Sequence, residues 1–189
     1  MRIVLILMVF VIVVATPCFG QQGKPTPGTI VTVNEPPSSY RKVGKAEISY
    51  FAGSDTTEVR TEWPAHQSET LSASMWFEFR TKGKSVKRPQ SVDVNLGCSG
   101  RKEMLQEITT FEFDADGREI TIDRPLPGGV EYDLNAKKFL RAIHGSVTFD
   151  TFEKLVSSSS LKVHVGKTVF ELDKNSRSAL RDMLKAVQE

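Results

Sequence analysis

From Ala46 onward apolar and polar residues alternate with a period of two, the repeat that turns one side of a strand to a core and the other to water. In Leu71–Arg80, Met75, Phe77 and Phe79 share one face, while Ser74, Trp76 and Glu78 share the other. Ser91–Leu96 places Val92, Val94 and Leu96 on one face in the same way. Ile48-Ser49-Tyr50 and Thr57–Trp63 are shorter runs rich in β-branched and aromatic residues, which suit a pleated surface. Two hairpins are expected. Phe111 and Phe113 lead into Asp114-Ala115-Asp116-Gly117, and Ile120 and Ile122 lead out; glycine accepts the positive φ of such a turn. Leu161, Val163 and Val165 face Val169 and Leu172 across Gly166-Lys167. Pro125–Gly129 reads as a loop, and Val130–Leu134 resumes an extended run.

The period changes twice. Phe152, Leu155 and Val156 stand at i, i+3 and i+4, which predicts a short helix from Asp150, its expected cap, to Val156. Leu180, Met183, Leu184 and Val187 form the apolar stripe of a C-terminal helix capped by Asp173 or Asn175. The expected fold is mainly β within the α+β class: an antiparallel, sandwich-like domain over 46–189, with one short helix and an amphipathic C-terminal helix.

The first twenty residues follow a different rule. Met1-Arg2 is a short positive start, Ile3–Ala15 carries no charge, and Pro17-Cys18-Phe19-Gly20 breaks the run. As a helix the apolar part spans about 20 Å, too short for a hydrocarbon core of roughly 30 Å. This is the layout of a secretory signal peptide cleaved after Gly20, and it places the protein in the periplasm or outside the cell. Ala15-Thr16-Pro17-Cys18 is close to a lipoprotein signal, but Pro17 stands where a small residue is needed, so lipid anchoring at Cys18 is not expected. Residues 21–45 hold Pro25, Pro27, Pro36 and Pro37 with little aliphatic content, and read as a solvated tether.

The formal charge of the whole chain is +2, and loss of Arg2 with the leader brings it nearer to neutral, which argues against a nucleic-acid partner. Cleavage also removes one of the two cysteines, so Cys98 has no partner for an internal disulfide and stability must come from packing. None of Asn34, Asn95, Asn135 and Asn175 has Ser or Thr two residues on. Without sequons or disulfides, the chain fits a bacterial envelope. The mature part shows no segment able to form a transmembrane helix, and nothing in it implies a cofactor.

A set of positions resembles a pattern of exported bacterial proteins without a known role. It runs from Ile48-Ser49-Tyr50 and Asp55-Thr56-Thr57-Glu58-Val59 to Thr151-Phe152-Glu153-Lys154-Leu155, then Val165-Gly166, Phe170-Glu171-Leu172 and Ala179-Leu180-Arg181-Asp182. The resemblance implies a compartment and a β-sandwich-like fold with a C-terminal helix; it implies no activity.

Several clusters could carry chemistry. Gly166-Lys167-Thr168 ends like a phosphate-binding loop, but Leu161 stands where the first glycine is needed and Val169-Phe170 continues a strand, so a hairpin turn is expected. Glu112, Asp114, Asp116 and Asp123 have the oxygen spacing of a calcium loop, although they sit within strand-like flanks and Glu119 occupies a position that should be apolar. Cys98, in Leu96-Gly97-Cys98-Ser99-Gly100, could act as a nucleophile if His66, His144 or His164 approached it. The histidines have no metal spacing of their own. Among Asp93, Glu103, Glu107 and Asp123 a carboxylate pair could serve glycoside hydrolysis if the fold set its separation. Lys82, Lys84, Lys87 and Arg88 form a basic loop between two strands, suited to an anionic surface or an acidic envelope partner.

The expectation is a non-catalytic binding or structural module of the envelope, with the basic loop as its contact. A hydrolase using Cys98 or a carboxylate pair is the alternative. An assembly factor that offers a strand edge to another envelope protein is a further one.

Overall fold

The longest alternating runs form the middle of a large antiparallel sheet. The structure is a computed structural model and describes residues 36–135 and 137–188. The expected leader, 1–20, and the first part of the expected tether lie outside the described residues. Strands β1 (Ser39–Val43), β2 (Ala46–Phe51), β3 (Thr56–Gln67), β4 (Leu71–Lys82) and β5 (Ser91–Gly100) follow one another as neighbours. After helix α1 (Lys102–Glu107) the chain leaves to build a second sheet from β6 (Phe111–Ala115) and β7 (Arg118–Thr121). It returns through β8 (Asp123–Pro127), β9 (Glu131–Asp133) and β10 (Lys138–Thr148); β10 pairs with β5, and β8 and β9 share its other side in tandem. Helix α2 (Phe149–Ser157) follows, then β11 (Leu161–Val165) and β12 (Thr168–Glu171), which complete the second sheet in the order β12-β11-β6-β7. Helix α3 (Lys174–Gln188) closes the chain. The protein is therefore mainly β, with two antiparallel sheets and three helices among the described residues.

One face of the large sheet makes the core. Met75, Phe77 and Phe79 of β4 are buried with Val92, Val94 and Leu96 of β5. Phe77 lies at their centre: its ring stacks on Trp63 at 5.6 Å and meets Phe113 of the second sheet and Phe152 of α2, each at 6.0 Å. The second sheet and α2 thus cover the same face, while α3 packs on β2 and β3. Each such aromatic contributes about 1.5–3 kcal/mol by leaving water.

Three local expectations need correction, and the choice left open for the cap of the last helix falls to one of its two candidates. Ser39–Val43, placed in the tether by its polar composition, pairs with β2 from Ser39 opposite Tyr50 to Val43 opposite Ala46. Its residues are almost all exposed, so it lacks the alternation that marks a strand. Thr148, not Asp150, caps α2: its Oγ1 accepts a hydrogen bond from the Thr151 amide at 3.2 Å, and the helix starts at Phe149. At α3 the cap is Asp173, whose Oδ1 accepts from Ser176 N and Ser176 Oγ, both at 2.7 Å. Part of the expected loop 125–129 is strand β8, whose Pro125 and Pro127 are tolerated because β8 lies at the sheet's edge.

β10 itself broke the pattern in two places. Arg141 sits on the core side, where its Nη1 donates to the carbonyls of Leu105 at 2.7 Å and Gln106 at 3.0 Å, closing the end of α1. Gly145 leaves room for Ile122, since a Cβ there would lie 2.1 Å from the Ile122 Cγ2. Ile122, expected on the return strand of the first hairpin, instead leaves the second sheet after Thr121 and is buried against β10.

Candidate functional site

Strand alternation that fills the core also decides what lies on the other face of the large sheet. Three rows matter there. Glu62, Trp76, Asn95, His144 and Leu126 stand opposite one another across β3, β4, β5, β10 and β8. The next row is Pro64, Ser74, Gly97 and Ala142, and the one after it Gln67, Ser72, Ser99, Leu140 and Glu131. The middle row is made of small residues between larger ones, so it sinks into a groove of about 640 Å³.

Gly97 shapes the floor. A Cβ there would lie 3.2 Å from Ser74 Oγ and 3.3 Å from Cζ3 of Trp76, so the indole leans from its own row across the glycine. His144 meets Trp76 edge-on at 6.2 Å, and the Arg60 guanidinium stands 5.8 Å from the indole centre. His144 Nδ1 lies 2.5 Å from Asn95 Oδ1. With the amide oxygen so placed, Nδ1 carries a proton and donates it to Asn95 Oδ1. Asn95 is buried, and its Nδ2 has no partner among the described residues. The groove's outer margin is closed by the Gly128 amide, which donates to the Ala142 carbonyl at 2.8 Å.

Beyond the Trp76 row the face becomes charged. Glu78 and Asp93 stand directly opposite each other, flanked by Arg60 and Ser146. Partial burial, and then the nearby Glu58, raise the Glu78 carboxyl above its usual range. Asp93 reaches solvent, yet its seat among the strands still raises it, with Arg80 and His144 pulling the other way. Arg80 bridges to Glu58 at 2.7 Å.

The residues singled out from the sequence are not brought together. Cys98 is 2 % exposed, and burial pushes its thiol up to about 12 against the pull of Arg141. It points into the core, while His144 belongs to the opposite face; His66 stacks on Phe170 at 5.1 Å, and His164 lies in the second sheet opposite Glu112. A protonated, enclosed thiol without a base is not placed for nucleophilic attack.

The acidic turn does not curl around a common point. Asp114 Oδ1 accepts from the Gly117 amide, Asp116 accepts from Ser159 and Ser160, and Asp123 belongs to β8 of the other sheet. Those bonds hold the Asp116 carboxyl below its usual range, whereas Glu112 is raised by sharing a hydrogen bond with Glu119. No group of three or more His, Cys, Asp or Glu able to hold a metal occurs among the described residues.

The basic loop divides. Arg88 bonds to both Asp150 and Glu153 of α2, at 2.7 and 2.9 Å, and its guanidinium covers the Phe149 ring at 4.4 Å. It ties the loop to the domain. Lys82 reaches Asp55 at 3.7 Å, while Lys84 and Lys87 are exposed. Of the four carboxylates considered from the sequence, Asp93 finds a carboxylate directly opposite, and that neighbour is Glu78, which alternation alone had assigned to a polar strand face. The groove itself is not legible along the chain. Its signal in the sequence was the run of small residues Gly97, Ser99 and Ser74 at outward positions, and its third strand, β10, had no visible alternation.

No protein-family model, curated protein or solved structure gives a significant match to this chain. The class is set by architecture: an antiparallel two-sheet domain with one face of its larger sheet sealed by helices and the second sheet, and the other face open and grooved. No described helix is long and apolar enough to cross a membrane.

Proposed function

We propose that the protein is a non-catalytic binding module exported to the bacterial envelope, and that its ligand lies in the groove over Ser74, Gly97 and Ala142. The observation that carries the reading is the row of small residues in the interior of a sheet, with Trp76 leaning across it. A sheet face serving only to be solvated needs no such trench, and an aromatic with hydroxyls beside it is the usual make-up of a recognition surface. Export rests on the leader in residues 1–20. The contact moves from loop 82–88 to the groove because Arg88 is engaged within the fold.

The test is Ala142→Tyr, which fills the groove from an outward position without touching the core. Retention of the purified protein on membranes and cell-wall material should be lost, while the urea midpoint stays near that of the parent. If Ala142→Tyr is retained and the Lys84→Ser, Lys87→Ser pair is not, the contact is the basic loop. A hydrolytic reading has the Glu78–Asp93 pair in its favour; it requires turnover of a bound ligand that disappears in Glu78→Gln.

A further inference from the structure

The groove continues past its small residues. Ser72 and Ser99, in the next row, also line a second hollow of about 430 Å³ at the ends of β4 and β5. Arg101, Lys102, Lys137 and Lys138 stand around that hollow, against two carboxylates, Glu69 and Glu103. None of the four cations has an ion pair among the described residues. Lys102 Nζ lies 5.9 Å over the Phe139 ring, which packs at 5.0 Å on the exposed Tyr132. Elsewhere on the same sheet cations are matched: Lys42 with Glu47, Arg60 with Glu62, Arg80 with Glu58. In the lining of the hollow itself the cations outnumber the carboxylates four to two, while Glu131, in the row of Ser72 and Ser99, and Asp133, opposite Lys138, stand beside it on β9.

Resting on the reading that the groove is the binding site, we infer that its ligand is an acidic oligosaccharide, with one ring against Trp76 and its anionic groups in the basic hollow. From Asn95 to Arg101 the path along β5 is about 20 Å, long enough for several linked rings. The floor favours a sugar over a peptide. An extended peptide binds by adding to a strand edge, and β4, β5 and β10 are interior strands; where β10 passes between β9 and β8 its Ala142 carbonyl is already taken by the Gly128 amide. What the floor offers are side-chain groups: the hydroxyls of Ser72, Ser74 and Ser99, His144 at one end, and an indole against which the C–H face of a ring can lie. The cations at the far end then select for charge and steer the encounter.

The probe is an oligogalacturonate of four units, compared with its fully methyl-esterified counterpart, which has the same rings without the charge. Binding is followed by tryptophan fluorescence, since of the two tryptophans Trp63 is buried and Trp76 lies at the groove. The acid form should bind, weaken as salt rises, fall by about tenfold in Lys102→Glu with Lys138→Glu, and be lost in Ala142→Tyr. Equal binding of the esterified form, with no effect of the charge reversals, overturns the acidic class and leaves a groove for neutral glycan. Tighter binding of a single-stranded oligonucleotide of the same charge overturns the sugar class. If no saccharide binds, this inference falls; the envelope retention of Ala142→Tyr then separates the two failures, because its loss keeps the groove as a site for another ligand and its persistence removes the groove as well.

Discussion

Gly44→Ala tests whether the chain before Ala46 belongs to the domain. Gly44 forms the β1–β2 turn at φ +55, and a Cβ there would lie 2.2 Å from Asp182 Oδ2, 2.4 Å from its Cγ and 2.8 Å from Oδ1. That carboxylate is buried on α3; it accepts the Lys45 amide at 3.0 Å and sits 3.3 Å from Lys185 Nζ. Two costs follow. A left-handed conformation for alanine costs about 1 kcal/mol. Displacing Asp182 breaks a hydrogen bond to a charged acceptor, worth about 1.5–3 kcal/mol. The expected loss is therefore about 3 kcal/mol, read as a fall in the urea midpoint followed by circular dichroism. Gly117→Ala is the control, because Gly117 has φ +78 and nothing within 4 Å of its Cβ position, so only the backbone cost applies. In an Asp182→Ala background the cost of Gly44→Ala should shrink toward that of the control. Equal losses for Gly44→Ala and Gly117→Ala would show that the turn is not docked on α3.

Two further outcomes follow from groups whose titration the fold displaces. Cys98, with its thiol near 12, should resist a thiol reagent at pH 8 and label stoichiometrically only in denaturant; rapid labelling of the folded protein would restore the nucleophile reading. Glu78→Gln should stabilise the protein at pH 7 by less than about 1 kcal/mol, because the charged carboxylate is less favourable in the fold than in the unfolded chain. The folded group takes up its proton first as pH falls, so the advantage should vanish below the ordinary value of 4.5, where both states are neutral. Urea midpoints at pH 7 and pH 4 measure this; a variant less stable than the parent at pH 7 would contradict the raised titration.

Several of the positions from which a resemblance to exported bacterial proteins was expected do structural work. Phe152 packs on Phe77, and Asp182 holds the first turn. Such residues report a core and its contacts, so they could point to a fold and not to an activity.

What the sequence determined by itself was whatever depends on neighbours in the chain. Period two in Leu71–Arg80 and Ser91–Leu96 set which side chains face inward, Asp-Gly set the hairpin turn at 116–117, and the stripe from Leu180 to Val187 set the last helix. Tertiary structure alone decided the rest. β1 is a strand because β2 and Asp182 hold it, and no local burial pattern records that. β10 carries an arginine and a glycine inward because α1 needs its last carbonyls closed and Ile122 needs space. The groove exists because register across three strands aligns Ser74, Gly97 and Ala142, residues far apart in sequence whose small size means nothing until they share a row.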